Sequence, residues 1–453
     1  MRPLRIVFYG NFGAGNLGNE VTLQTAIEQT LARLPQAELL CVCPNPEDVR
    51  ARHGIAAATS LSRDFGWSWS DLDRSAAEGA RDGVPARQRM PAGPGHALGR
   101  AGAALARAAR ILFRRVGPEL GHWRRMLRAL ARSDVLLVPG TGIVTDGACG
   151  SLGWPYDMFK LVVLARLCGK RVVFLSVGAG PFEHRLGCWF VRRSLGLAHY
   201  RSYRDVDSKR RLEAIGFDTA GDAVYPDLVF GLSGDHLAEA PTATASRRVV
   251  GLGLKDYAMP VDDSDARSYR DYLATMADFV VWLQAQGSAV RLIIGDAQYD
   301  TRVREDLIAL LGSRGAATAP PLLLSDPVPT VEELLRQLRE TDVVISPRFH
   351  NLVLALLLNK PVIALSDLPK VTALLADLGL GRFCLGLEDL KIDELRACFA
   401  RLQSEAGTLR AYIRQATERY RHAVDEQYAN IYAGSVRAGQ IGQPGGVTAP
   451  PQD

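Results

Sequence analysis

Short apolar runs alternate with stretches of helical spacing through most of the chain. The runs at residues 4–9, 38–43, 135–140 and 171–180 place apolar side chains at successive positions rather than every second one. That is the pattern of strands covered on both faces. Helical periodicity marks residues 21–34, 158–168, 186–197 and 208–215. A strand answered each time by a helix predicts an α/β unit with a parallel, doubly wound sheet. A second cycle of the same kind places strands at 249–254, 290–295, 321–324, 342–346 and 361–366, and helical spacing over about 405–431 predicts a long final helix.

Residues 236–247, HLAEAPTATASR, are small and polar and contain a proline, as an interdomain linker does. The expected organisation is a Rossmann-like domain over 1–240, a second over 246–433, and a disordered tail over 434–453 with too little apolar content to order itself. Two such domains face each other across a cleft into which the carboxyl ends of their strands open, so ligand chemistry is expected just after strands. A stretch rich in Ala, Gly, Arg and Pro from about residue 60 to 102 interrupts the first cycle. With the basic segment after it, it reads as a mobile insertion over about 60–132.

A chain of 453 residues with 47% hydrophobic content exceeds what one core organises, which supports two domains. Its seven cysteines form no C-x-x-C pair and read as buried thiols of a reducing compartment. The opening MRPLRIVFYGNFG has too short an apolar run for a signal peptide. No stretch nears the roughly 20 apolar residues of a membrane span. The expected location is the cytoplasm, with peripheral contact on the inner membrane face as the further option.

Net charge is only +5, yet Arg107, Arg110, Arg114, Arg115, Arg124, Arg125 and Arg128 cluster between Arg100 and Arg132 against a single acid, Glu119. The cluster is either a solvated helix face or an amphipathic helix on anionic lipid, with Ile111, Leu112, Phe113, Trp123, Met126 and Leu127 as its apolar side. No aromatic-rich recognition motif accompanies it, so nucleic acid is not an expected partner. No His, Asp or Glu cluster has metal-ligand spacing, and neither a metal nor a cofactor is expected.

Five segments follow strands and carry candidate chemistry. The first, GNFGAGNLGNE, contains Gly13-x-Gly15-x-x-Gly18 between a strand and a helix, with Asn16 inside it. A dinucleotide fingerprint would need an acid at the end of the second strand, where Cys43-Pro44-Asn45 stands instead. The loop therefore reads either as backbone amides presented to an anion or as a tight turn without a ligand. The second, PGTGIVTD, brings Gly140 and Asp146 to a strand end, where Asp146 accepts from sugar hydroxyls or caps the next segment. SVGAGPF, residues 176–182, is another glycine-rich exit. YRSYRDVDS places Arg201, Arg204 and Asp205 before a helix, an exposed ion pair if taken alone.

The fifth segment is the most informative: DVVISPRFHNLVLALLLNKPVIALSDLPKV, residues 342–371. Pro347 ends a strand, and Arg348 and His350 open a wholly apolar helix. The next strand ends shortly before Lys370, again at a helix start. Three cationic groups delivered to one sheet edge repel one another unless an anion neutralises them, so an anionic, phosphate-bearing ligand is expected there. The alternative pairs Arg348 with Asp342 or Asp367 and makes His350 a helix cap.

These residues resemble the polysaccharide pyruvyltransferase family, which moves pyruvate from phosphoenolpyruvate onto a sugar as a ketal. The likeness spans most of the chain. It rests on YGNFGAGNLGNE, VPGTGIVTD, SVGAGP, YRSYRDVDS, YPDLVFGL and above all SPRFHNLVLALLLNKPVIALSDLPKV. It implies two Rossmann-like domains of GT-B type and a transferase active in cell-surface polysaccharide or exopolysaccharide biosynthesis. Phosphoenolpyruvate would be the donor substrate and a saccharide, lipid-linked or free, the acceptor. By position it implies His350 as the proton-transfer group and Arg348, Lys370 and Arg204 as donor-binding residues; Gly13, Gly15, Asn16, Gly140 and Asp146 remain as acceptor or loop residues. The sequence departs from the family pattern at Thr141, where a glycine is usual, and at Asn19, where an acid is usual. A GT-B glycosyltransferase using a nucleotide sugar and a non-catalytic sugar-binding relative are the alternative readings.

Overall fold

The computed structural model describes residues 2–60, 117, 119–147, 149–237, 247–256, 263–388 and 390–438. Two parallel sheets organise them. The first runs β1 (Arg5–Tyr9), α1 (Leu17–Arg33), β2 (Glu38–Cys43), α2 (Pro46–His53), β3 (Ala56–Thr59), α3 (119–131), β4 (Val135–Pro139), α4 (Trp154–Leu167), β5 (Arg171–Val177), α5 (Arg185–Gly196), β6 (Tyr200–Tyr203), α6 (Val206–Ala214) and β7 (Ala223–Val224). Its strand order is β3-β2-β1-β4-β5-β6-β7. The second runs β8 (Val249–Leu254), α7 (Asp263–Ala285), β9 (Ala289–Ile294), α8 (Asp300–Ser313), β10 (Leu323–Leu324), α9 (Val331–Arg339), β11 (Val343–Ser346), α10 (Phe349–Leu357), β12 (Val362–Leu365), α11 (Pro369–Asp377) and β13 (Cys384–Leu385), in the order β10-β9-β8-β11-β12-β13. Both orders reverse beside their first strand, between β1 and β4 and between β8 and β11, and such a switch point opens a crevice at the strands' carboxyl ends.

The apolar runs explain the strands. VLLVP of β4 and AVRLII of β9 are buried along their whole length, as strands between two helical layers must be. Polar side chains set the helix starts. Asn16 accepts from the Asn19 amide at α1, Asp205 from Ser208 at α6, and Thr330 from Glu333 at α9. On one face of the first sheet, α3, α4 and α5 bury Met126, Leu130, Met158, Leu161, Val191 and Leu195 in a shared core. Met126, read from sequence as part of a lipid-facing side, is therefore a core residue.

The final helix, α12 (Ile392–Ala438), is longer than its expected 405–431 and does not stay with the second sheet. Leu395, Phe399 and Leu402 pack in the core near the second sheet, while its later turns reach the first. Gln427 is buried against Ser176 and Ser202, and Tyr432 shares a hydrogen bond of 2.9 Å with Thr30. The helix thereby straps the two units together. Most of the expected insertion, residues 61–116, and the end of the tail, 439–453, lie outside the described residues.

Candidate functional site

The carboxyl ends of both sheets meet over a cavity of about 250 Å³. Asn11, Asn16, Gly140 and Arg204 line it from the first unit, and Arg348, His350, Asn351 and Lys370 from the second. The first loop is clasped across the gap. Asn16 donates to Asp296 at 3.0 Å, the Leu17 amide to the Gly295 carbonyl at 3.1 Å, and the Ala297 amide to the Gly15 carbonyl at 3.0 Å.

His350 lies in the first turn of α10, directly after the strand end at Ser346. Its imidazole rests on Gly18, where a Cβ would stand 2.0 Å from Nδ1. That close approach is the structural use of the third glycine of the first loop. On the other side, Nε2 is 3.7 Å from Asp227 Oδ2, just beyond hydrogen-bonding distance. Asp227 is buried and its Oδ1 accepts from the Val229 amide at 3.0 Å. Burial pushes the Asp227 carboxyl up, but His350 and Arg204 outweigh it and hold the group below its ordinary range.

Arg204 is nearly buried, with its guanidinium 3.3 Å from Asp205, 3.6 Å from Asp227 and stacked 5.4 Å over the Phe349 ring. It lies so close to Gly178 that a Cβ there would meet a guanidinium nitrogen at 2.2 Å, which gives the glycines of SVGAGP their reason. The exposed ion pair expected from sequence is thus corrected. The pairing lies in the cleft because the 3-10 turn at Leu228–Gly231 brings Asp227 beneath it.

Lys370 opens α11, its Nζ 5.6 Å from the centre of the Phe349 ring. The amine makes no hydrogen bond or ion pair among the described residues. Burial, reinforced by Arg204, Lys255 and Arg348, lowers its pKa from the usual 10.5 to about 7, with Asp227 opposing. Lys255, at the end of β8, is also held below its ordinary value by burial and by Arg348.

Two sequence expectations need correction here, and a third is narrowed. Arg348 does not await an anion to neutralise it, nor does it pair with Asp342 or Asp367. It forms a two-point ion pair with fully buried Asp300, Nε to Oδ2 at 2.9 Å, and Asp300 is itself held by the amides of Asp256 and Asp296. Several amides of the first loop are already engaged within the protein. Gly13 donates to Glu20 at 2.7 Å, Leu17 to Gly295, and Asn19 and Glu20 to Asn16. Gly13 and Gly15 adopt left-handed φ of 77° and 79°, and a Cβ at Gly13 would meet the Asn45 carbonyl oxygen at 2.4 Å, so the loop is closely packed at Gly13. Asp146 is fully buried and accepts from the amides of Glu183 and His184 at 2.7 and 3.0 Å. It anchors the entry to α5, far along the chain, rather than capping the segment that directly follows it, and its buried oxygens are not offered to a sugar.

His350, Lys370, Arg204, Arg348, Asn16 and Gly140 are therefore brought together, while Asp146 is not. Sequence reasoning missed Asp227, Asp300, Lys255 and Asn351. A signal existed for Lys255, a charged residue directly after an apolar strand. Four buried polar atoms around or beside the cavity lack a hydrogen-bond partner: His350 Nε2, Asp227 Oδ2, Asn351 Nδ2 and Thr141 Oγ1. Buried polar atoms are seldom left so, and at a cavity edge such atoms are available to a polar ligand. Among the described residues, no three His, Cys, Asp or Glu side chains come together to hold a metal ion.

Comparison with known proteins places this geometry. The profile of one family, polysaccharide pyruvyl transferase, matches residues 16–367. No match was found among curated proteins. Among solved structures, a glycosyltransferase from Rickettsia africae aligns with a TM-score of 0.56 at 9% identity, over 96% of this chain and 100% of that one. The UDP-GlcNAc 2-epimerase from Neisseria meningitidis bound to UDP-GlcNAc aligns with a TM-score of 0.53 at 10% identity, over 93% and 97%. MnaA of S. aureus, solved with UDP, gives 0.55 at 11%, over 98% and 100%. At such identities the likeness is one of fold, the two-domain GT-B-like arrangement of two parallel sheets.

Proposed function

The chain belongs to the polysaccharide pyruvyl transferase family, and we propose that it transfers pyruvate from phosphoenolpyruvate to two hydroxyls of a saccharide as a ketal. The observation that carries this reading is the pairing, over one small cavity, of a His–Asp couple with Arg204 and an unpaired Lys370. The donor has a methylene carbon that must be protonated and two anionic groups that must be held. A cavity of about 250 Å³ suits so small a molecule.

In this scheme the His350 imidazolium, steadied by Asp227, gives its proton to the methylene carbon, which becomes a methyl group. The positive character left on the adjacent carbon is attacked by a saccharide hydroxyl. The bond from that carbon to the phosphate oxygen then breaks, inorganic phosphate departs, and a second hydroxyl closes the ketal. Proton balance requires both hydroxyl protons to leave. One restores His350 and the other leaves with the phosphate. Lys370 and Arg204 are the anion-holding cations in this account, and Arg348, tied to Asp300, acts as a fixed dipole that orients rather than a free charge.

Phosphoenolpyruvate should raise the melting temperature of the protein, since a ligand at a hundredfold excess over its dissociation constant adds about 2.7 kcal/mol to native stability. A thermal-shift comparison with nucleotide sugars checks it. Stabilisation by nucleotide sugars with none from phosphoenolpyruvate would transfer the protein to the glycosyltransferase reading.

A further inference from the structure

Exposed apolar side chains are concentrated on one surface. Of the ten large apolar residues that are markedly exposed among the described residues, six lie on or beside the layer formed by α3, α4 and α5: Leu120, Leu127, Leu152, Leu167, Leu186 and Trp189. The inner sides of these helices pack together on one face of the first sheet, so their outer sides face away from the sheet together. Trp189 is 43% exposed and Leu167 75%.

The charge on this surface is one-sided. Arg124, Arg125, Arg128 and Arg132 are exposed along and just after α3, and Arg185, Arg192 and Arg193 along α5. Helix α5, RLGCWFVRRSLG, contains no acid. The acids of α3 and α4 are turned to internal work. Glu119 accepts from Trp123 and Tyr156 and pairs with buried Lys160, and Asp157 pairs with the same lysine at 2.8 Å. Among the described residues the exposed acids at its border are Glu183, before α5, and Glu213 and Asp218, which flank Gly216 and Phe217, fewer than the seven arginines.

At the edge of this surface Trp189, Arg192, Arg193, Gly216 and Phe217 enclose a shallow hollow of about 250 Å³. The Arg193 guanidinium stacks 5.7 Å from the Trp189 ring, which leaves its edge and that of Arg192 to an incoming anion. Helices α4 and α5 both begin at the carboxyl edge of the sheet, and Trp154 at the start of α4 lines the catalytic cavity. The surface therefore runs up to the mouth of the cleft.

We propose that the outer face of α3, α4 and α5 docks on an anionic lipid bilayer, with a phosphate headgroup seated between Arg192 and Arg193. Leucines and a tryptophan that protrude beside arginines match the boundary between headgroups and acyl chains, where the apolar groups enter and the guanidiniums remain among phosphates. A second protein partner of neutral surface would leave the arginines unmatched. The docking is independent of which donor the cleft takes, and it sets the cleft mouth beside the membrane.

Co-sedimentation of the full chain with vesicles containing phosphatidylglycerol, and with vesicles of phosphatidylcholine alone, tests this. Binding is expected to the first and not the second, and to weaken as salt rises from 0.1 to 1 M and the screening length falls from about 10 to 3 Å. The double variant Arg192→Glu, Arg193→Glu should bind at least roughly tenfold more weakly, each basic residue near such a surface being worth about a factor of five. Leu167→Gln with Leu186→Gln should also weaken binding while preserving salt sensitivity. Arg267→Glu with Arg270→Glu, the same charge change on exposed residues of α7, should bind as the parent does. Equal binding to neutral vesicles, an equal loss in the α7 variant, or no binding together with a concentration-dependent dimer abolished by the Leu167 and Leu186 changes would each overturn the proposal.

Discussion

Replacing His350 with Ala is expected to lower the turnover number by roughly 100- to 10,000-fold, the range for loss of a proton-transfer group, while the protein stays folded. The side chain sits between Gly18 and Asp227 rather than in the core of α10, which is built by Leu352, Val353 and Leu356. Asp227 keeps Arg204 at 3.6 Å and the Val229 amide after the change, so it is not stranded as a buried charge. Gly18→Ala supplies an independent arm. Its Cβ would occupy the place of the imidazole without altering His350, and turnover should fall by a comparable factor while circular dichroism and melting hold. Steady-state kinetics checks both variants; normal turnover in folded His350→Ala would remove the imidazole from the mechanism.

The second large effect concerns Lys370, and its sign differs for stability and for binding. The unfolded chain holds this proton up to about pH 10.5, whereas the folded protein releases it near 7. Below pH 7 both states are protonated and the folded state bears the full cost of a buried ammonium. Between about 7 and 10.5 the unfolded state binds more protons, so this contribution to stability improves as pH rises. Lys370→Met should therefore stabilise the unliganded protein by a few kcal/mol near pH 6 to 7, since each pKa unit corresponds to about 1.4 kcal/mol. The gain should shrink toward pH 10. The same variant should lose phosphoenolpyruvate binding. In the parent, a bound anion raises the Lys370 pKa, so binding takes up a proton and affinity declines as pH climbs above 7. Thermal melts across pH and calorimetry in buffers of different ionisation enthalpy read both halves. A variant less stable than the parent near pH 6, with unaltered binding, would show that Lys370 is a structural cation.

Much of this architecture was legible in the sequence because period and punctuation carry it. Residues Val135–Pro139 are apolar at every position and Ala289–Ile294 at every position but Arg291, which a strand between two layers requires, and Pro347 announces where β11 must stop. The cationic trio was legible for the same reason, since charge at the end of an apolar strand has few structural uses. What local pattern does not encode is which distant side chain answers a charge. Asp300 begins a helix 48 positions before Arg348, and nothing near either residue announces their pairing. Asp227 lies in a motif that was noticed, YPDLVFGL, but its burial beneath His350 depends on the meeting of two sheets. Asp146 misled for the converse reason, because an acid after a glycine-rich strand exit looks alike whether it faces a ligand or two backbone amides. The final helix shows the limit for packing: its periodicity gives an amphipathic helix, and only the fold reveals that Gln427 and Tyr432 belong to the first sheet.

The central claim is the transfer of pyruvate, and the most direct test follows both ends of the donor at once. The parent protein is supplied with carboxyl-labelled phosphoenolpyruvate and a panel of saccharides bearing free hydroxyl pairs, in deuterated water. The account predicts label in a saccharide, inorganic phosphate released in equal amount, and one deuterium in the new methyl group; His350→Ala gives none of the three. Release of nucleotide from nucleotide sugars, with no label moved from phosphoenolpyruvate to any saccharide, would contradict it.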